Sequence, residues 1–321
     1  MALLRELKFV DLYIGRDFAD VKAGAGAHAP RVPVPNEYHE EVEALRIAVQ
    51  EKLNAVGDDE CAHTHDGVIY RVTRMHDLQD HPVLFLRKVE QAVWPLEKIA
   101  LPKHVLEHVL AASTKGLILI SGDMGSGKTT TATALLIERL SLHGSFGLAL
   151  EQPPEYDLNG VHGNGRCIQV PVTRRNGGFR EQLQLAKRTS TSELLIGEIR
   201  CGETGAVAVN QTNVGTTVIS TIHAKSPVDA ITQLSTFAAL GGMRNPQQLI
   251  SQGLAAVIHQ RVTRMGADNK KMLMTFECLV VGGNEEGSIR QKIADHERVG
   301  SLTQDIHNQK HAQIHGSRNH Q

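Results

Sequence analysis

"GDMGSGKTT", residues 122–130, decides the reading of this chain. It fills the pattern G-x-x-x-x-G-K-[ST] with Gly122, Gly127, Lys128 and Thr129. A glycine turn in any α/β protein could satisfy that pattern, so the flanks matter. "GLILIS" (116–121) is a short continuous apolar run, as expected of a strand buried on both faces. "KTTTATALLIERLSLHG" (128–144) reads as a helix ending near Gly144. Strand, glycine loop and helix N-terminus together make an anion cradle, because backbone N–H groups converge where the helix dipole favours negative charge. Lys128 adds a mobile cation and the Thr129 hydroxyl a ligand for Mg²⁺. Gly125, Ser126 and Thr130 complete the loop as nucleotide-binding positions.

Further along, "FGLALE" (146–151), "LLIGE" (194–198) and "TTVISTIH" (216–223) read as strands. "SPVDAITQLSTF" reads as a helix with Ser226 at N-cap and Pro227 at N1. "NPQQLISQGLAAVIHQRV" (245–262) repeats that start with Asn245 and Pro246, and its apolar positions fall on one face of a single predicted helix. Strands alternating with helices predict a mostly parallel sheet, whose ligands bind at the carboxyl ends of the strands. The polar residues at those ends are Glu151, Glu198 and His223, and "EQPPEY" adds Glu155 beyond two prolines. ATP hydrolysis needs a phosphate cradle, Mg²⁺ ligands, a group that activates water and cations for the transition state. A lone strand-end carboxylate is more often a solvated cap; several strand-end groups downstream of one phosphate loop form a set.

The chain has 321 residues, enough for two domains. Residues 1–100 read as a small α+β domain. "KFVDLYIG" and "VLFLRKV" are strands and residues 36–53 a helix with apolar positions near 42, 45, 49 and 53. "CAHTHDGVIYRVTRM" is a hairpin turning at Asp66-Gly67. "KAGAGAHAPRVPVP" (22–35) reads as a loop, "WPLEKIALP" (94–102) as the linker. The α/β pattern runs from 103 to 321, with helices near its end and a flexible tail after about 305. A net charge of −1 and only 4% aromatics argue against a nucleic-acid motor, the competing function, and against sequence-specific nucleic-acid binding. A small-molecule kinase is disfavoured by the long N-terminal domain. No apolar run of spanning length and no signal-peptide core appear, and Cys61, Cys167, Cys201 and Cys278 form no C-x-x-C pair, which predicts a reduced, cytosolic protein. Cys61, His63 and His65 share a strand face, and His307, His311 and His315 share a helical spacing. The plainer readings are a polar sheet face and a solvated end, not metal sites.

The order "GDMGSGKTTT", "EQPPEY", "LLIGEIR", "STIHA" resembles the Walker A, Asp box, Walker B and His box of the type II/IV secretion and type IV pilus motor ATPases. The resemblance covers roughly residues 60–300. It implies a RecA-like P-loop NTPase domain preceded by a smaller PAS-like α+β domain, binding ATP and Mg²⁺. It implies a homohexamer that is cytoplasmic, peripheral to the inner membrane, and works on a polytopic inner-membrane platform protein. Residue by residue, it implies Lys128 and Thr129 on phosphate and Mg²⁺, and Glu155 as general base. Glu198 is the Walker B acid near Mg²⁺, Glu151 a further carboxylate on the metal side, and His223 the γ-phosphate contact. Arg71, Arg87 and Arg188 are the implied charge-stabilising arginines.

Departures from the family pattern are Gln152 where Asp is usual, Gln184 for an arginine, Cys201 for Asp and Thr216 for His. Ser190 and Ser192 replace acids ahead of Walker B. They leave the core groups in place and imply a divergent branch, either plasmid-borne or of the type IVB kind. "SIRQKIAD" (288–295) resembles the C-terminal motif of retraction-type pilus motors and implies a retraction-like role.

Overall fold

The apolar positions at 42, 45, 49 and 53 form the buried stripe of helix α1 (His39–Val56), and Gly57 in the left-handed region ends it. This stripe packs on an antiparallel sheet built from β1 (Asp11–Ile14), β2 (Ala19–Lys22), β3 (Arg31–Pro33), β4 (Glu60–His65), β5 (Val68–His76) and β6 (Pro82–Lys88). The strand order is β3-β2-β1-β6-β5-β4, and the core joins the helix to Leu12, Tyr70, Val72, Leu84 and Leu86. Asp66 and Gly67 both have positive φ, 47° and 75°, as the expected two-residue hairpin turn requires. β2 and β3 fall at the edges of the stretch read as a loop; at four and three residues they are too short for alternation to show.

The computed structural model describes residues 3–22, 29–89, 92–212, 215–265 and 271–316. Contacts divide the chain into two units. The first comprises Met1–Ala92, Gln152–Asp157 and Pro171–Gly178, and the second Val93–Glu151, Leu158–Val170 and Phe179–Gln321.

In the second unit the chain runs α2 (Lys103–Leu110), β7 (Gly116–Gly122), α3 (Lys128–His143), β8 (Phe146–Glu151), β9 (Gly160–His162) and β10 (Gly165–Pro171). It continues α4 (Gly178–Ala186), β11 (Glu193–Ile199), α5 (Gly202–Gln211), β12 (Thr217–His223), α6 (Pro227–Leu240) and α7 (Pro246–Gly253). It closes with β13 (Leu254–Met265), β14 (Lys271–Val280), α8 (Glu286–Ala294) and α9 (Leu302–Gly316). The sheet order is β14-β13-β7-β12-β11-β8-β10-β9, with β13, β7, β12, β11 and β8 mutually parallel. Every residue of β7 is buried, which explains its unbroken apolar run: helices cover both faces of a parallel sheet. Leu117, Ile118, Leu119 and Ile120 each contribute about 1.5–3 kcal/mol by their burial.

The N-terminal edge of this sheet is tied by an ion pair. Arg139, on the last turns of α3, is fully buried and donates Nε and Nη2 to the two carboxylate oxygens of Glu193 at 2.9 Å each. Nη2 also reaches Thr217 Oγ1 at 3.1 Å, and Nη1 reaches the carbonyls of Val109 and Ala111. One guanidinium thus joins α2, α3, β11 and β12.

Two expectations are corrected. The single helix expected over 245–262 ends at Gly253, and the rest is strand β13. The run Leu254–Ile258 is buried throughout and pairs with β7 and β14, and a run apolar on every side satisfies either period. The end of the chain, expected as a flexible tail after about 305, is helical to Gly316. Leu302 and Ile306 are buried, Asp305 pairs with Lys292 Nζ at 2.7 Å, and the Gln309 carboxamide makes two hydrogen bonds of 2.9 Å to the Val280 backbone. The rings of His307 and His311 lie 4.2 Å apart on this helix, and the side chain of His315 is outside the described residues. Among the described residues no helix is long and apolar enough to cross a membrane.

Candidate functional site

The sheet order positions the site. β12 is inserted between β7, which leads into the glycine loop, and β11, which carries Glu198. His223, the last residue of β12, pairs in register with Gly122. The histidine therefore stands between the loop lysine and the strand-end acid. Lys128 Nζ lies 3.3 Å from His223 Nδ1, and His223 Nε2 lies 3.1 Å from Glu198 Oε1. An ammonium can only donate, so Nδ1 accepts from Lys128, and Nε2 carries the proton it donates to the carboxylate. Lys128 also donates to the carbonyls of Gly122 at 3.1 Å and Asp123 at 2.9 Å.

The loop itself is a cradle. Gly125 and Gly127 have φ of 73° and 83°, where side chains are strained. Gly127 is the N-cap of α3, and no side chain caps the helix, whose first-turn N–H groups have no preceding helical carbonyl to bond. A Cβ on Gly125 would meet nothing within 4 Å, so the loop is open there. Ser126 Oγ is buried and finds no hydrogen-bond partner among the described residues. An uncapped helix start, a buried cation and an orphaned hydroxyl fit a bound phosphate. Thr129 and Thr130, half-buried, occupy the first helical turn.

Glu151 ends β8 and is buried, and its Oε2 accepts from Gln169 Nε2 at 2.6 Å. Its negative charge and burial together push the Cys167 thiol up to about 12, burial contributing most. Gly197 explains itself here: a Cβ would sit 3.2 Å from Glu151 Cγ, so the β11 position ahead of Glu198 must stay small. The oxygen donors of Thr129, Glu198 and Glu151 suit a hard cation such as Mg²⁺. Among the described residues no group of three or more His, Cys, Asp or Glu side chains is placed to hold a metal ion, and Mg²⁺ carried by phosphates needs only one or two protein ligands.

The remaining expected residues lie elsewhere. In the first unit, Arg71 and Arg87 are directly opposite each other on β5 and β6. Arg87 is gripped by Asp11, Nε to Oδ1 at 2.6 Å and Nη2 to Oδ2 at 3.0 Å, and this partner raises its pKa. Arg71 Nη1 donates to Glu155 Oε1 at 3.1 Å, so the candidate base is already held by a candidate arginine. Arg188 is exposed on the turn between α4 and β11, at the opposite end of that strand from Glu198. Within one subunit it is not brought to the glycine loop.

Sequence reasoning missed Gln260, His259 and Asp11. Gln260 and His259 sit in β13, where the misread helix hid their register. Gln260 bonds the glycine loop, and His259 Nδ1 lies 3.1 Å from Ser121 Oγ at the end of β7. The one signal was polarity, two hydrogen-bonding side chains directly after an apolar run.

The family model described as Type II/IV secretion system protein matches residues 64–316. Type II secretion system protein E of Klebsiella pneumoniae is 34% identical over 155 residues, 48% of this chain and 29% of that protein, so the chain matches less than a third of this curated relative. Among solved structures, the ATPase DotB of Legionella pneumophila superposes with a TM-score of 0.72 at 19% identity, covering 94% of this chain and 84% of that one. The pilus retraction motor PilT, solved with bound ADP, gives 0.74 at 22% identity, covering 94% and 87%. At those identities the likeness is one of fold, a RecA-like P-loop architecture with a smaller antiparallel domain ahead of it. The family match spans most of the chain and includes the glycine loop, both strand-end acids and His223: the chain belongs to the type II/IV secretion system protein family.

Proposed function

We propose that this chain is a Mg²⁺-dependent ATPase subunit of a motor serving a secretion or type IV pilus machine. The observation that carries the proposal is the file Lys128–His223–Glu198, set at the carboxyl ends of three adjacent parallel strands by the insertion of β12. The loop 122–130 and the start of α3 hold the ATP phosphates, with Lys128 on the β- and γ-phosphates. Thr129 and Glu198 would hold Mg²⁺, with Glu151 as a further carboxylate on the metal side; when bound, Mg²⁺ would neutralise the charge developing on the phosphates. Glu155 takes the proton from the attacking water at its carboxylate. His223, hydrogen-bonded on both ring nitrogens, is the group poised to register a γ-phosphate. Arg71 and Arg87 supply cations to the transition state, and Arg188 serves a neighbouring subunit.

By family membership we further propose a homohexamer, cytoplasmic and peripheral to the inner membrane, acting on a polytopic membrane platform protein. "SIRQKIAD" on α8 supports a retraction-like role. The test is phosphate release by the purified chain with MgATP, alongside native mass measurement with a non-hydrolysable ATP analogue. Turnover without DNA stimulation and a six-fold mass are expected. A strict monomer at micromolar concentration, or activity that requires DNA, counts against the reading.

A further inference from the structure

Gly122 and Gly127, the two glycines that define the phosphate loop, face the same residue. A Cβ on Gly122 would lie 2.3 Å from the Gln260 backbone oxygen, and one on Gly127 3.3 Å from Gln260 Nε2. The Gln260 side chain is fully buried. Its Nε2 donates to the Ser126 carbonyl inside the loop, and its Oε1 accepts from Thr131 Oγ1 on the first turn of α3 at 2.7 Å. One carboxamide therefore spans the loop and the helix that together form the cradle. Both of its polar ends are used, and it is delivered by a strand that runs beside β7.

We propose that Gln260 is a positioning residue for nucleotide: its carboxamide sets the angle between the phosphate loop and α3, and so fixes where the loop N–H groups converge. The inference rests on the ATPase reading given above. Its chemistry is specific. A carboxylate of the same shape keeps the acceptor for Thr131 but has no donor for the Ser126 carbonyl. A leucine of similar volume removes both bonds and leaves two buried polar groups unpaired. Misplaced donors weaken the ground-state hold on phosphate more than they disturb groups outside the loop, so the defect belongs in nucleotide affinity.

The test is direct binding of a fluorescent ADP analogue, read beside steady-state kinetics and thermal unfolding. Wild type, Gln260→Leu, Gln260→Glu, Thr131→Val and Thr131→Ser are compared. Gln260→Leu and Gln260→Glu are expected to weaken binding about tenfold or more and to raise KM with a smaller change in kcat. Thr131→Val weakens binding less, Thr131→Ser recovers most of that loss by restoring the hydroxyl, and the Gln260→Leu/Thr131→Val double variant is no worse than Gln260→Leu alone. Should Gln260→Leu prove too unstable to study, Gln260→Glu and the Thr131 pair carry the test. If wild type binds nucleotide and the folded Gln260 variants bind it equally well, with only the melting temperature lowered, Gln260 is a packing residue and the inference is overturned. If wild type binds no nucleotide, it is the ATPase reading that fails.

Discussion

His223 Nε2 lies 3.1 Å from Glu198 Oε1, on the neighbouring strand of the parallel sheet. The other ring nitrogen faces Lys128. The imidazole here stands between a cation and an anion, one on each ring nitrogen. Any ligand group that draws Lys128 away frees Nδ1, so the state of the histidine follows the state of the lysine.

That coupling separates two variants. Lys128→Ala loses nucleotide binding or turnover outright, because the β- and γ-phosphates lose their compensating cation. His223→Ala is expected to lower kcat by about tenfold or more while ADP, which lacks the γ-phosphate, binds as before. Binding of ADP and of a non-hydrolysable ATP analogue to both variants, with turnover, reads the difference. Undiminished ATPase activity in Lys128→Ala removes the phosphate-loop assignment altogether.

Glu155 follows the end of β8 in sequence and Glu198 is the penultimate residue of β11, and their surroundings differ: Glu155 meets Arg71, Glu198 meets His223. Glu155→Gln is expected to keep nucleotide affinity while turnover falls by about 10²–10⁴. Glu198→Gln instead raises the Mg²⁺ concentration needed for activity. Titrating Mg²⁺ and ATP for the two variants side by side checks this. A shifted Mg²⁺ requirement in Glu155→Gln with a pure turnover defect in Glu198→Gln exchanges the roles.

The candidate residues of this site, 122–130, 151–155, 198 and 223, could be named from the sequence because each sits at a motif or at the end of an apolar run. Their arrangement was not. Nothing local to "TTVISTIH" says that its strand enters the sheet between the other two; that follows from long-range pairing of Thr217–His223 with Gly116–Gly122 and with β11. The same limit explains β13. "LAAVIHQRV" is apolar at spacings that suit a helix, and only its burial between β7 and β14 makes it a strand. With that register unknown, Gln260 could not be aimed at the loop. Arg71 and Arg87 were named from the family resemblance alone, and the grip of Asp11 on Arg87 depends on β1 pairing with β6 across 76 positions of sequence.

The buried pair Arg139–Glu193 is expected to be costly to break from one side. Arg139→Ala leaves Glu193 charged and buried and should destabilise the chain by about 3–5 kcal/mol. The double change Arg139→Met/Glu193→Met removes both charges and should recover much of that loss. Urea unfolding of the three proteins decides it, and a single variant as stable as wild type contradicts the ion pair.

Acid should destabilise the fold through buried His259 and half-buried His108 and His63. Burial holds His259 and His108 below the ordinary value of 6.5, with Arg261 pressing His259 further down. His63 is lowered in the same way, with Lys52 and His65 adding to burial. Because these folded-state values lie below the unfolded one, the unfolded chain takes up more protons. The stability is complete above about pH 6.5 and is lost as pH falls through the lowered folded-state values. Melting temperatures measured from pH 7.5 down to about pH 5 should decline, and a flat profile refutes the contribution.

The Arg139 network grips the sheet at the starts of β11 and β12, while the ends of those strands present Glu198 and His223 to solvent. The sheet is thus clamped at one margin by a buried ion pair, while the other is held by the more exposed file Lys128–His223–Glu198. Rearrangement on phosphate arrival is therefore expected at the exposed margin rather than at the buried one. Amide exchange should register that difference along single strands, slow at Leu194 and Val218 and faster toward Ile199 and His223. Under the ATPase reading proposed above, phosphate chemistry would act on the exposed margin while the buried ion pair keeps the strands in register at the other.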